Sequence, residues 1–148
     1  MKSLSIKKIP ASETISVRQT VLRPGKPVSD CEFEGDYSPE SFHLGIFYHN
    51  NLAGVGSFIK MSNPLFTDLN QFRIRGMAIL PQFQKHGFGK KILKEGETEI
   101  AAISQTPLIW FNARETAIGF YEKFGYKTQG EKFDIPGVCT HIVMYKKL

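Results

Sequence analysis

At 148 residues the chain has the length of one ordinary domain, about 100 to 200 residues, and residues 1–148 are read as a single unit. With 41% hydrophobic and 22% charged residues the composition excludes a disordered or fibrous chain, and no apolar run approaches the roughly 18 residues of a membrane span. The net charge of +5 leaves nucleic acid, a membrane surface, an anionic small molecule and a plain soluble surface all open.

Leu4–Ile9 alternates weakly and reads as a first strand. The lysines around it lead into no apolar signal core, so a cytoplasmic protein is expected, with Cys31 and Cys139 as reduced thiols. Residues 10–22 carry a helix start, with Ile15, Gln19 and Leu22 on one side. Residues 23–40 contain Pro24, Gly25, Pro27, Gly35 and Pro39 and read as a long loop or broken helix bordering a site. The same stretch gathers Asp30, Glu32, Glu34, Asp36 and Glu40. Residues 42–49 and 52–60 are strands joined by Asn50-Asn51, a pair suited to a tight turn. Asn63-Pro64 breaks the next connection. Residues 71–80 alternate with a change of phase at Gly76, which points to a bulge. Residues 87–104 have helical spacing, with Phe88, Ile92, Gly96, Ile100 and Ile103 near one face. Residues 107–112 form a short apolar strand, and 114–124 a second amphipathic helix closed by Gly125. Residues 126–133 and 138–147 close the chain as a hairpin around Pro136-Gly137. The order β-α-loop-β-β-β-α-β-α-β-β predicts an α/β fold with a mixed sheet.

The informative stretch is Met77-Ala78-Ile79, a short loop, then Gln84-Lys85-His86-Gly87-Phe88-Gly89-Lys90 opening the long helix. A strand feeding a helix through a glycine-containing loop aims several backbone N–H groups at one point. The helix dipole adds roughly half a positive charge there. Glycines at 87 and 89 let the backbone approach a pyrophosphate, and the neighbouring lysines can meet further phosphate charge. A glycine-rich turn before a surface helix fits these residues equally well. Three related motifs fail on spelling. A P-loop needs glycine where Gln84 stands and Ser or Thr where Lys91 stands. A dinucleotide fingerprint needs a third glycine where Ile92 stands. An RNA-recognition strand would stay extended, whereas here helical spacing follows Lys90 and Lys91.

The remaining pattern, Q-x-x-G-x-G after a strand, resembles the pyrophosphate-binding motif of the GNAT superfamily of acyl-CoA N-acyltransferases, matched by Gln84, Gly87 and Gly89. Ile109-Trp110-Phe111-Asn112, then Ala117, then Phe120-Tyr121-Glu122-Lys123-Phe124-Gly125-Tyr126 resembles that family's second motif. The likeness is strong over residues 71–126 and extends elsewhere through the order of elements. It implies a GNAT-like mixed central sheet, splayed at the cofactor site, with flanking helices. It also implies acetyl-CoA or another acyl-CoA as cosubstrate, no metal, and a small-molecule or peptide amine as acceptor. By the same resemblance, the Met77-Ala78-Ile79 segment pairs with the pantetheine arm like an added strand. The amides of Lys85, His86, Gly87, Phe88, Gly89 and Lys90 take the pyrophosphate, Asn112 bonds the arm, and Tyr121 lies near the thioester sulfur. Pairing of two copies through the final strands is common in this fold and is left open.

The chemistry then needs a neutral amine, an N–H for the developing oxyanion, and a proton for the thiolate. Ile79 is the candidate N–H. A phenol with a pKa near 10 suits the proton donor, so Tyr121 is the acid. The base is less defined: Arg73 stands where some members carry Glu, and a guanidinium accepts no proton. His43 and His141 remain, each as readily structural, and proton loss to water serves equally. No nucleophile elbow surrounds Ser57. The acceptor is expected across the sheet from the cofactor arm, near the end of the first helix (Arg18 to Arg23), the 23–40 loop and the last hairpin. The five carboxylates of that loop either attract a cationic amine or merely solvate a surface. A non-catalytic acyl-CoA-binding or regulatory protein is the main alternative, and an RNA-binding module the lesser one. Neither a nucleic-acid nor a membrane partner is expected.

Overall fold

Strands β1 (Leu4–Ile9), β2 (Phe42–Tyr48), β3 (Asn51–Lys60), β4 (Gln71–Ile79), β5 (Leu108–Arg114), β6 (Lys127–Asp134) and β7 (Thr140–Lys147) form one sheet in a computed structural model that describes residues 3–148. Their order is β1-β2-β3-β4-β5-β7-β6, and β4 with β5 is the parallel pair in an otherwise antiparallel sheet. A parallel pair needs a crossover, and the helix α2 (Phe88–Ile103) supplies it. The short helices α1 (Ile15–Val21) and α3 (Ile118–Glu122) complete the layers.

Alternation divides the sheet into two faces. On one face Leu44, Ile46, Phe58, Phe72, Ile74, Ile109, Phe111 and Met144 pack with Ile92, Leu93 and Ile100 of α2 to make the main core. Gly96 lets α2 approach closely, because a methyl group there would collide with the ring of Phe58. The other face receives α1, where Val17 packs with Ile9, Val55 and Ala78. That face also carries a polar layer, described below.

The parallel pairing is short. Gln71, Phe72 and Arg73 pair with Leu108, Ile109 and Trp110, and then the two strands part. Beyond that point β4 keeps β3 and β5 keeps β7, down to Arg114 opposite His141. The sheet is therefore splayed at its middle, as the resemblance implied. Gly76, at φ +67°, and Met77 together oppose Gly56, which is the expected bulge.

Several boundaries differ from the sequence-based expectations. The hairpin turn is His49-Asn50, both at positive φ, one residue ahead of Asn50-Asn51, because Tyr48 pairs with Asn51. The first helix opens as a 3-10 turn, Ala11–Thr14, closed by the Thr14 hydroxyl on the Ala11 carbonyl at 2.6 Å. The helix expected over 114–124 begins only at Ile118, since the β5–β7 ladder holds the chain extended through Arg114. Ile103 is exposed at the last turn of α2 and leaves the core. Cys31 and Cys139 are both free thiols. No helix among the described residues is long and apolar enough to cross a membrane.

Candidate active site

The splay creates an edge. Leu80 N–H donates to Ala53 O on β3 at 2.9 Å, so by strand alternation the N–H groups of Ile79 and Met77 point the other way, into the gap. Ala78 turns its methyl to the α1 face and is buried. Two cavities lie along this edge. One, of about 270 Å³, sits between Ile79 and the turn from Gln84 to Lys90, with Phe120 opposite. The other, of about 250 Å³, passes between the parted strands and is lined by Met77, Asn112, Tyr121 and His141 among others.

The first cavity is shaped by the strand-to-helix turn. The Gln84 side-chain amide donates to Ile79 O at 2.9 Å and ties the loop to the end of β4. Lys85 and Gly87 lie at positive φ, +69° and +75°, which curls the backbone into the helix. No side chain caps α2, and Lys91 N–H donates to Gly87 O at 3.2 Å; the amides ahead of it have no helical acceptor. A Cβ on Gly87 or Gly89 would meet nothing within 4 Å and would project into the open mouth. The space those missing side chains leave is the space a pyrophosphate requires, so these residues fit the group. Phe88 is buried in the core cluster and also lines this mouth. Lys85, His86 and Lys90 are exposed around it, with Lys90 over the Phe124 ring at 5.4 Å.

In the second cavity Tyr121 is wedged edge-on against Phe111, with ring centroids 4.5 Å apart. Burial pushes its phenol pKa above the ordinary 10.0. The neighbouring Tyr126 is tied up elsewhere, donating to Glu97 at 2.8 Å.

The two histidines separate cleanly. His43 Nε2–H donates to Asp36 O at 2.8 Å, and its Nδ1 accepts from the Ser57 hydroxyl at 2.7 Å. Ser57 in turn accepts from Arg18 Nη2 at 2.7 Å, and Arg18 grips the Asp36 carboxylate through both Nη atoms at 2.6 and 2.9 Å. This closed, buried ring fastens the 23–40 loop and α1 onto β2 and β3 and leaves His43 no free nitrogen. Burial by itself would raise the Asp36 pKa, but bonds from Arg18 and the Phe33 N–H bring it below the usual value. His141 is different. Its Nδ1–H donates to Cys139 O at 2.8 Å, which leaves Nε2 as the acceptor nitrogen with no partner among the described residues, on a side chain that lines the cavity.

The structure divides the acidic loop. Asp36 is buried against Arg18, so the carboxylates do not act as one surface cluster, while Asp30, Glu32, Glu34 and Glu40 are exposed. Sequence inspection missed that Arg75 and Arg114 line the cavity. The signal was present in the two-residue spacing of Arg73 with Arg75 and of Asn112 with Arg114, which puts each pair on one face.

Comparison with known proteins gives the family and the fold. Residues 18–148 match the model of the acetyltransferase (GNAT) domain family. The chain belongs to the GNAT family. It is 40% identical to the uncharacterized N-acetyltransferase YitI of Bacillus subtilis, over 98% of this chain and 97% of the relative. Among solved structures it is similar in fold to Escherichia coli ElaA, with a TM-score of 0.78 at 16% identity over 97% and 99% of the two chains. It is likewise similar to an aminoglycoside 6'-N-acetyltransferase complexed with coenzyme A, with a TM-score of 0.73 at 14% identity over 97% and 96%. As a GNAT acyltransferase, the protein moves an acyl group from acyl-CoA to an amine.

Proposed function

We propose that residues 1–148 act as one catalytic domain that transfers the acetyl group of acetyl-CoA to a primary amine by direct attack. One observation carries this reading: the sheet opens after Arg73, and the gap links the uncapped start of α2 to the cavity that holds Tyr121. Acetyl-CoA supplies the activated acyl group when bound, and the remaining tasks fall to this chain. Amides from Lys85 to Lys90 hold the pyrophosphate, braced by Gln84. Met77 and Ile79 offer their backbone along the unpaired edge of β4, with Ala78 between them anchoring the strand. Asn112 approaches from β5. The Ile79 N–H stabilises the oxygen on which negative charge develops. Tyr121, kept protonated by burial, gives its proton to the departing sulfur. His141 Nε2 takes the proton released by the amine.

The test is a screen of primary amines with acetyl-CoA, following free thiol and the mass of the acceptor. Amine-dependent thiol release with an N-acetylated product supports the reading. Tight acetyl-CoA binding without turnover on any amine would favour a non-catalytic acyl-CoA-binding protein instead.

A further inference from the structure

The charge around the second cavity is one-sided. Arg75 and Arg114 are its charged lining, and no Asp or Glu contributes to it. Among the described residues neither arginine forms an ion pair. Arg75 is held in place without being neutralised: its guanidinium lies 4.6 Å from the Phe33 ring centroid, with Arg18 at 4.2 Å and Arg23 at 5.4 Å from the same ring. Arg73 lies beside it over Trp110 at 5.1 Å, its Nε buried without a partner. Burial, and after it the charge of Arg75, pull the Arg73 pKa down to about 10. The carboxylates whose field reaches Arg75 are Asp36, already gripped by Arg18, and Glu34, exposed on the loop. Arg75 is half-buried without a counter-ion, which is unfavourable in the free protein, while Arg114 is exposed at the end of β5. Their forked donors match a carboxylate or phosphate.

Resting on the acyl-transfer reading above, we infer that the acceptor is a primary amine that itself carries a carboxylate or phosphate group, held by Arg75 and Arg114. The same positive field disfavours an ammonium ion and so helps keep the nucleophile neutral. It also opposes polycationic acceptors, which bring several positive charges against these arginines.

Matched acceptors test this with the purified chain: free L-amino acids against their amides, glucosamine 6-phosphate against glucosamine, and spermidine and kanamycin as polycations. The anionic member of a pair should exceed its neutral partner in kcat/KM by about tenfold or more, the scale of one charge-assisted contact. The two pairs tell carboxylate from phosphate. Arg75→Gln and Arg114→Gln should each erase the preference through acceptor KM, with acetyl-CoA affinity unchanged by calorimetry and folding checked by circular dichroism. Arg75→Lys should recover part of it. No preference for the anionic member in either pair, or equal use of the polycations, would overturn the inference while leaving acyl transfer intact, as would an undiminished preference in both Gln variants. If no amine is acetylated, acyl transfer fails, and calorimetry of N-acetyl amino acids and N-acetylglucosamine 6-phosphate with CoA present reads the anion site directly. Binding lost in Arg114→Gln would keep the site, and no binding would remove it.

Discussion

Tyr121 combines two properties that a proton donor to a thiolate needs: it lines the cavity, and burial holds its phenol above the ordinary pKa of 10.0. Tyr121→Phe keeps the ring against Phe111 and removes only the hydroxyl. We expect kcat to fall by roughly 10² or more, with little change in the KM for acetyl-CoA. A raised pKa means that the acid form persists to higher pH, so the alkaline limb of the wild-type rate profile should lie above 10 and vanish in the variant. Gly87 makes a different demand. Its φ of +75° disfavours any side chain, and a Cβ there enters the mouth of the anion cavity and clashes with nothing else. Gly87→Val should therefore fold, with a stability loss of about 1–2 kcal/mol from backbone strain, yet bind CoA at least tenfold more weakly by calorimetry because its side chain blocks the mouth.

The 23–40 loop shows how one element depends on a single buried pair. Its Val28 and Tyr37 stay exposed, and Arg18, fully buried on α1, holds it through Asp36 and the Cys31 carbonyl at 2.8 Å. Removing one member leaves the other charge buried, at a cost of about 3–5 kcal/mol. Asp36→Ala should show that loss in urea unfolding. Because the native carboxyl pKa is depressed, this contribution is complete above the ordinary 3.8 and disappears as pH falls through the native value. Acid titration followed by near-ultraviolet circular dichroism should show it. On the opposite face, α2 docks through Gly96. Gly96→Ala would gain helix propensity but drive a methyl into the Phe58 ring, and overpacking should prevail by about 1–3 kcal/mol. A stabilised Gly96→Ala protein would contradict this account of how α2 sits on β3.

Across the whole molecule, the open gap between β4 and β5 couples cofactor binding to stability. A ligand that bridges the start of α2 and the two parted strands binds only the folded chain. At about 100 times its Kd, CoA should add about 2.7 kcal/mol and raise Tm by several degrees, by about 2–4 °C per kcal/mol at this size. No shift in a thermal melt would count against a donor site in the gap. Much of this architecture was legible beforehand. Strand alternation, the bulge at Gly76, the strand–glycine loop–helix of Met77 to Lys90 and the Tyr121 motif are local patterns, set by neighbouring residues and by turn chemistry, and local pattern is enough to give the order of elements and the family. The errors fell where a ladder overrode a local preference, as when pairing of Arg114 with His141 delayed α3. What only tertiary contact decided is the electrostatics of the acceptor side. Arg18 meets Asp36 across 18 residues, and Arg75, Arg114 and His141 reach one cavity from three strands. No periodicity encodes such meetings, because they depend on where whole strands and helices pack. For that reason a loop whose carboxylates read either as a lure or as solvated surface proves, once folded, to hold Asp36 against Arg18, while the cavity between the parted strands is lined by arginines.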